Sequence, residues 1–205
     1  MPATATEVFG LAGVDYYETV LWGAAPSVTT PGVYIVSRHP DPRTLAAPAA
    51  CPISATAVEQ LLAVRPELRI DGHRPTADQL AGRIAAMWLA DEPVLYIGVA
   101  GTSLEKRVNQ YVQSKLGARS PHAGGWPLKC IAAELWVHVG KCDSKGAAID
   151  AESAMQRGFV DGVSAHSRAA VLDPRLPLPF ANLELREHGR RYRKAHGISG
   201  ATGTL

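Results

Sequence analysis

The chain has 205 residues, 46% of them hydrophobic, and a formal net charge of +2 at pH 7. That is enough apolar material for one good core and too little for two, and so mild a charge neither requires nor excludes a nucleic-acid partner. No apolar run approaches membrane-spanning length, and residues 1–37 hold Glu7, Asp15 and Glu18 but no Lys or Arg, unlike the basic start of a secretory signal; a cytoplasmic protein is expected.

In chain order, residues 1–31 read as a loosely structured lead-in, with Pro26 and Pro31 limiting regular structure. A short buried strand follows from Val33 to Val36, opened by Pro31-Gly32. The Pro-rich run after it is a loop. Thr56 and Glu59 have the spacing of a capping box ahead of Val58, Leu61 and Leu62, and Thr76 and Gln79 repeat it ahead of Leu80, Ile84, Met87 and Trp88. Between these helices, Asp71-Gly72 marks a turn. Residues 50–90 therefore form a mostly helical insertion before a second strand, Pro93-Val-Leu-Tyr-Ile-Gly98. Thr102 and Glu105 suggest a third capping box, opening a helix with Leu104, Val108, Tyr111 and Leu116 inward and Gly117 as its stop. A third strand spans Glu134–Gly140 and another helix residues 146–162. An extended Pro-rich return precedes a basic C-terminal stretch open to a helical reading, and the last residues, from Ser199, are expected to fray.

The three cysteines, Cys51, Cys130 and Cys142, contain no C-x-x-C pair and suit a reducing compartment. His122, Cys130, His138 and Cys142 can be set out as zinc ligands, but their spacing fits no usual finger or ribbon, and buried thiols with ordinary histidines are the stronger reading.

Five features carry possible chemistry. Gly98-x-x-Gly101 before a helix could present N–H groups to an anion, yet neither a full dinucleotide fingerprint nor a P-loop is present, and a plain strand-to-helix turn explains it better. Glu152 falls in the middle of an apolar stripe formed by Ala148, Met155 and Phe159; an inward carboxylate needs an ion-pair partner, for which Arg107 is one candidate, or a metal. Arg107 flanks the Leu104/Val108/Tyr111 stripe, where a guanidinium suits either a salt bridge or a phosphate. His122 lies among Pro121, Gly124, Gly125 and Pro127, in a tight loop that suits a proton carrier or only a turn. Finally, Arg186, Arg190, Arg191, Arg193 and Lys194 surround Tyr192, a pattern of either a backbone-phosphate contact or a solvated face.

Taken together, these residues resemble the GIY-YIG nuclease superfamily. The namesake tripeptides stand as Gly32-Val33-Tyr34 and Tyr96-Ile97-Gly98, the family's arginine matches Arg107, its metal-binding glutamate matches Glu152, and its late asparagine matches Asn182. The resemblance runs from Gly32 to about Asn182. It departs in three places: the insertion, residues 37–92, separates strands that are normally joined closely; Val99 stands where a lysine often follows; and Tyr111 occupies the position of a helix histidine, for which His122 is the substitute. These departures suggest a distinct prokaryotic branch.

The resemblance implies an α+β fold in which a small three-stranded, mainly antiparallel central sheet is flanked by helices. It divides the chain into a lead-in (1–31), a nuclease domain (32–182) and a basic tail (183–205). It also implies hydrolysis of DNA phosphodiesters with one divalent metal, Mg²⁺ or Mn²⁺, held by Glu152. Tyr34 and Tyr96 would orient or deprotonate water, Arg107 would stabilise phosphorane charge, and His122 would serve proton transfer. Gly32, Gly98 and Asn182 would be structural or phosphate-binding. Beyond the resemblance, the basic run itself offers Arg190, Arg191, Arg193 and Lys194 as contacts to the nucleic-acid backbone. A tyrosine base is demanding, because an unperturbed phenol titrates near 10. The alternatives are a non-catalytic nucleic-acid-binding module, RNA included, and a protein whose helical insertion docks a partner.

Overall fold

The computed structural model describes residues 2–118, 125–187 and 189–201. The chain folds as a mixed α+β protein around an antiparallel sheet covered by helices on both faces. The sheet has four strands where three are expected. The fourth comes from the segment read as a lead-in: Ala5–Gly10 forms helix α1, and Tyr16–Leu21 forms edge strand β1. Helix α1 starts at a capping box the sequence contains but the reading passed over, with the Glu7 carboxylate accepting from Thr4 N at 2.8 Å and Thr4 Oγ1 accepting from Glu7 N at 3.1 Å.

The three expected strands are present as β2 (Gly32–Ser37), β4 (Val94–Ala100) and β5 (Trp136–Lys141). They take the order β1-β5-β2-β4, with Tyr34 opposite Gly98 and Ile35 opposite Ile97. Every residue of β2 is buried, which is why it reads as a continuous apolar run rather than an alternating one. Val33, Ile35 and Ile97 pack with α1 and with helix α5 (Lys145–Gly162). Tyr34, Val36 and Tyr96 pack in the larger cluster on the other side of the sheet.

That larger cluster is built largely from the insertion. Helices α2 (Ala55–Val64) and α3 (Ala77–Ala85) contribute Val58, Leu61, Leu80 and Ile84 to it, beside Leu104, Val108 and Tyr111 of α4 (Leu104–Gln113). The apolar faces of the insertion are thus part of the main core. The Thr76/Gln79 box caps α3 as the spacing predicts. The other two boxes are displaced: Ser54 caps α2 and Ser103 caps α4, each at a residue whose extended backbone lets its hydroxyl accept from the N–H three residues on. Helix α4 also ends earlier than Gly117, at Gln113, where the Lys129 ammonium from a 3₁₀ turn (Trp126–Cys130) donates to the carbonyls of Val112 and Ser114.

The C-terminal region differs most from expectation. After α6 (Ala165–Ala170), the basic stretch is a hairpin, β6 (Glu184–Glu187) with β7 (Arg190–Arg193), and not a helix. The end does not fray at Ser199: Ile198–Ser199 form β8, paired with β3 (Arg69–Ile70) inside the insertion. Arg83 of α3 reinforces this closure by donating to the His196 carbonyl at 3.2 Å and pairing with Asp71 at 2.7 Å. No helix among the described residues is long and apolar enough to cross a membrane.

Candidate active site

The two signature strands lie side by side, and their tyrosines meet. Tyr34 and Tyr96 have ring centroids 5.8 Å apart, and Tyr111 continues the row at 5.2 Å from Tyr96. Gly98 makes this contact possible: a Cβ there would lie 2.5 Å from Tyr34 Cζ and 2.6 Å from Tyr96 Cε1. A Cβ on Gly32 would likewise run into the Gly140 carbonyl and Leu104. Both glycines of the paired motif are therefore steric requirements of close strand and ring packing.

Arg107, one turn into α4, and Glu152, midway along α5, bring charge to the tyrosines. Each acts electrostatically on both Tyr34 and Tyr96, and Glu152 is the strongest charged influence on Tyr96. Glu152 in turn feels Arg186 first and Arg107 second among cations, with Glu184 opposing them. Residues from β2, β4, α4 and α5 that are far apart in sequence thus share one electrostatic neighbourhood. Among the described residues neither Arg107 nor Glu152 forms a salt bridge, so the ion-pair alternative for Glu152 is not found.

Burial sets the protonation of these groups. The Tyr34 side chain is 1% exposed and Tyr96 9%, and desolvation pushes both hydroxyls above the normal phenol range, partly countered by Arg107. Each is a neutral phenol at neutral pH. Burial pushes the Glu152 carboxyl up to about 7, with Arg186 and Arg107 holding it from going higher. A carboxylate so placed gains from a cation.

The other predicted residues separate by role. Asn182 is buried and bonded entirely to the backbone of Ile97, accepting from its N–H at 2.8 Å and donating to its carbonyl at 2.8 Å. Together with Ala181 N, which donates to the Leu95 carbonyl, it covers the outer edge of β4 as a neighbouring strand would. Asn182 thus serves as a structural residue at the sheet edge. Lys194 is 3% exposed, with its ammonium on the carbonyls of Leu178, Pro179 and Phe180 at 3.1, 2.9 and 3.2 Å; that removes it from the backbone-contact set. Arg190, Arg191 and Arg193 are exposed on β7. His122 lies outside the described residues.

The zinc set does not assemble among its described members, Cys130, His138 and Cys142. His138 is fully buried, its ring bonded to Thr19 Oγ1 at 2.7 Å and Ser37 Oγ at 2.8 Å, and no group of three or more metal-ligating side chains occurs among the described residues. Two open depressions lie elsewhere, one between β1 and α5 and one beside Arg175 and Tyr192. Neither is lined by Tyr34, Tyr96, Arg107 or Glu152; Arg191 and Arg193 line the second. Sequence reading missed Glu184 and placed Arg186 in a basic run that suits a backbone-phosphate contact or a solvated face; the alternation Glu184, Arg186 around Leu185 was the available signal.

Compared with protein-family models, with curated proteins and with solved structures, the chain matches none.

Proposed function

We propose that the protein is a metal-dependent nuclease that hydrolyses DNA phosphodiesters at the Tyr34/Tyr96/Arg107/Glu152 cluster, in the manner of the GIY-YIG superfamily it resembles. The observation that carries this reading is the convergence of those four residues from four elements, with Arg107 and Glu152 in no salt bridge among the described residues.

Each side chain then has a task suited to its state. Arg107 offers a fork of N–H donors to the non-bridging phosphate oxygens, and its charge grows in value as the phosphorane gains negative charge. Tyr34 and Tyr96, kept as phenols by burial, orient the attacking water through hydrogen bonds and do not remove its proton. Proton transfer is left to a group such as His122. Glu152 fits a single Mg²⁺ or Mn²⁺, since magnesium commonly takes one or two protein carboxylates and fills its other positions with water and substrate phosphate. A cation held there would supply Lewis-acid neutralisation of the phosphate and the leaving oxygen.

Incubation of the purified protein with single-stranded, duplex and branched DNA, and with RNA, in Mg²⁺ or Mn²⁺ tests the proposal. Cleavage that disappears in Glu152→Ala is expected. If no substrate is cut, or Glu152→Ala cuts as wild type does, the assignment is wrong; binding without cleavage would then favour the non-catalytic module.

A further inference from the structure

The β6–β7 hairpin has two unlike faces. Leu185 opposite Tyr192 and Glu187 opposite Arg190 lie on one, and Leu185 is buried there against Val160 and Leu178. Glu184 opposite Arg193 and Arg186 opposite Arg191 lie on the other. On that second face Glu184 pairs with Arg186 at 2.9 Å and with Arg191 at 3.3 Å, which sets two guanidinium groups around one carboxylate.

This face stands beside the candidate active site. Ser153, the neighbour of Glu152 on α5, donates to the Arg186 carbonyl at 2.7 Å, and Arg157 one turn on pairs with Glu187. The hairpin is therefore fastened to α5 at Glu152. Glu184 acts electrostatically on Tyr96 as well as on Glu152, so the charge of this face reaches the cluster. Three arginines against one glutamate leave excess positive charge, and the Arg186 and Arg191 side chains are 64% and 42% exposed.

We propose that the Arg186/Arg191/Arg193 face grips the nucleic-acid backbone at phosphates next to the scissile one, with Glu184 fixing the orientation of Arg186 and Arg191. This rests on the reading of the neighbouring cluster as a nuclease site. Arg190 lies on the opposite face, opposite Glu187, so the proposed grip drops it from the backbone-contact set expected from the sequence; this separates the grip from a general attraction to a basic tail. The occupant is a phosphodiester backbone because the face offers exposed planar guanidinium donors in excess over carboxylate, and Arg forks match phosphate oxygens.

The test uses the full chain with a DNA duplex and a single-stranded oligonucleotide. Binding is measured across a salt series in EDTA, and cleavage in Mg²⁺, for wild type, Arg186→Ala/Arg191→Ala and Arg190→Ala, with thermal melting as the folding control. The double variant should bind at least tenfold more weakly with unchanged melting, raise KM more than it lowers kcat, and flatten the log–log salt slope by about 2 (roughly 0.9 per lost phosphate contact). Arg190→Ala should leave slope and KM near wild type. If wild type cuts but the double variant matches it, or Arg190→Ala loses as much, the hairpin proposal fails and the nuclease reading stands. If wild type binds and never cuts while the double variant loses binding, the nuclease reading fails and the grip remains. Absence of both binding and cleavage overturns both.

Discussion

Asn182 is the matched motif residue whose structural role is most open to measurement. Asn182→Ala removes both hydrogen bonds to Ile97, a fully buried residue, and leaves a backbone N–H and a carbonyl on the β4 edge without their partner. An unsatisfied buried backbone group costs about 1–3 kcal/mol, so the pair predicts a loss of roughly 2–5 kcal/mol, towards the lower end where water enters the small space left behind. With a urea m-value of about 2 kcal/mol/M for a small domain, the midpoint should fall by about 1–2.5 M. Tryptophan fluorescence reports the transition, since Trp88 and Trp126 sit in the main core. Asn182→Asp retains an acceptor for the Ile97 N–H but sets a carboxylate against its carbonyl, and should be no better than alanine. A midpoint within about 0.3 M of wild type would refute the structural account. So would a variant that keeps wild-type stability yet loses cleavage, because Asn182 would then belong to the chemistry.

Three further outcomes follow. Burial raises the Glu152 carboxyl from 4.5 to about 7, so its contribution to stability is full below pH 4.5 and is lost as pH rises through 7, a loss of at most about 3 kcal/mol. Glu152→Gln should therefore melt higher than wild type at pH 8, and Mg²⁺ should raise the melting temperature of wild type alone; an equal response in both proteins would refute the cation site. His138, lowered by burial to about 4, acts in the opposite sense, with stability full above pH 6.5 and lost as pH falls towards 4; its ring NMR signals should titrate near 4, and a midpoint near 6.5 would contradict its burial as a neutral ring. Gly98→Ala drives a Cβ into the Tyr34 and Tyr96 rings and should cost about 1–3 kcal/mol while displacing both phenols, so unfolding and near-UV circular dichroism should change together; an unchanged spectrum would show that the rings can yield.

Much of the sheet was legible because β2 is buried throughout and β4 nearly so. The Gly32-Val-Tyr34 and Tyr96-Ile-Gly98 runs are apolar on both faces, and α3 carries a readable cap at Thr76. Strand β1 was not legible: Tyr16 to Leu21 is exposed or half-buried throughout and pairs only with β5, so backbone hydrogen bonds place it and no periodic apolar signal marks it. The clustering of Tyr34, Tyr96, Arg107 and Glu152 followed from motif order, whereas their protonation did not, because burial from every side decides it. Lys194 was misjudged for a similar reason. Its charge reads as solvent-facing, and only the fold brings three carbonyls from a distant Pro-rich turn to its ammonium.

The final quarter of the chain acts on the site through those same contacts. Lys194 gathers the Leu178, Pro179 and Phe180 carbonyls, and the turn so held places Asn182 on Ile97, the residue after Tyr96. From there β6 leaves towards α5, where Ser153 and Arg157 take the hairpin beside Glu152. One closure therefore fixes the strand bearing Tyr96 and the arginine face next to Glu152. It cannot be a loose appendage, since β8 returns to β3 and ties the same segment to the insertion that forms the tyrosines' core. Asn182, buried and bonded to Ile97 through both ends of its amide, thereby holds the edge of the sheet on which the aromatic row is built; on the proposed reading, a phenol displaced by even an ångström would lose its alignment of water and phosphate.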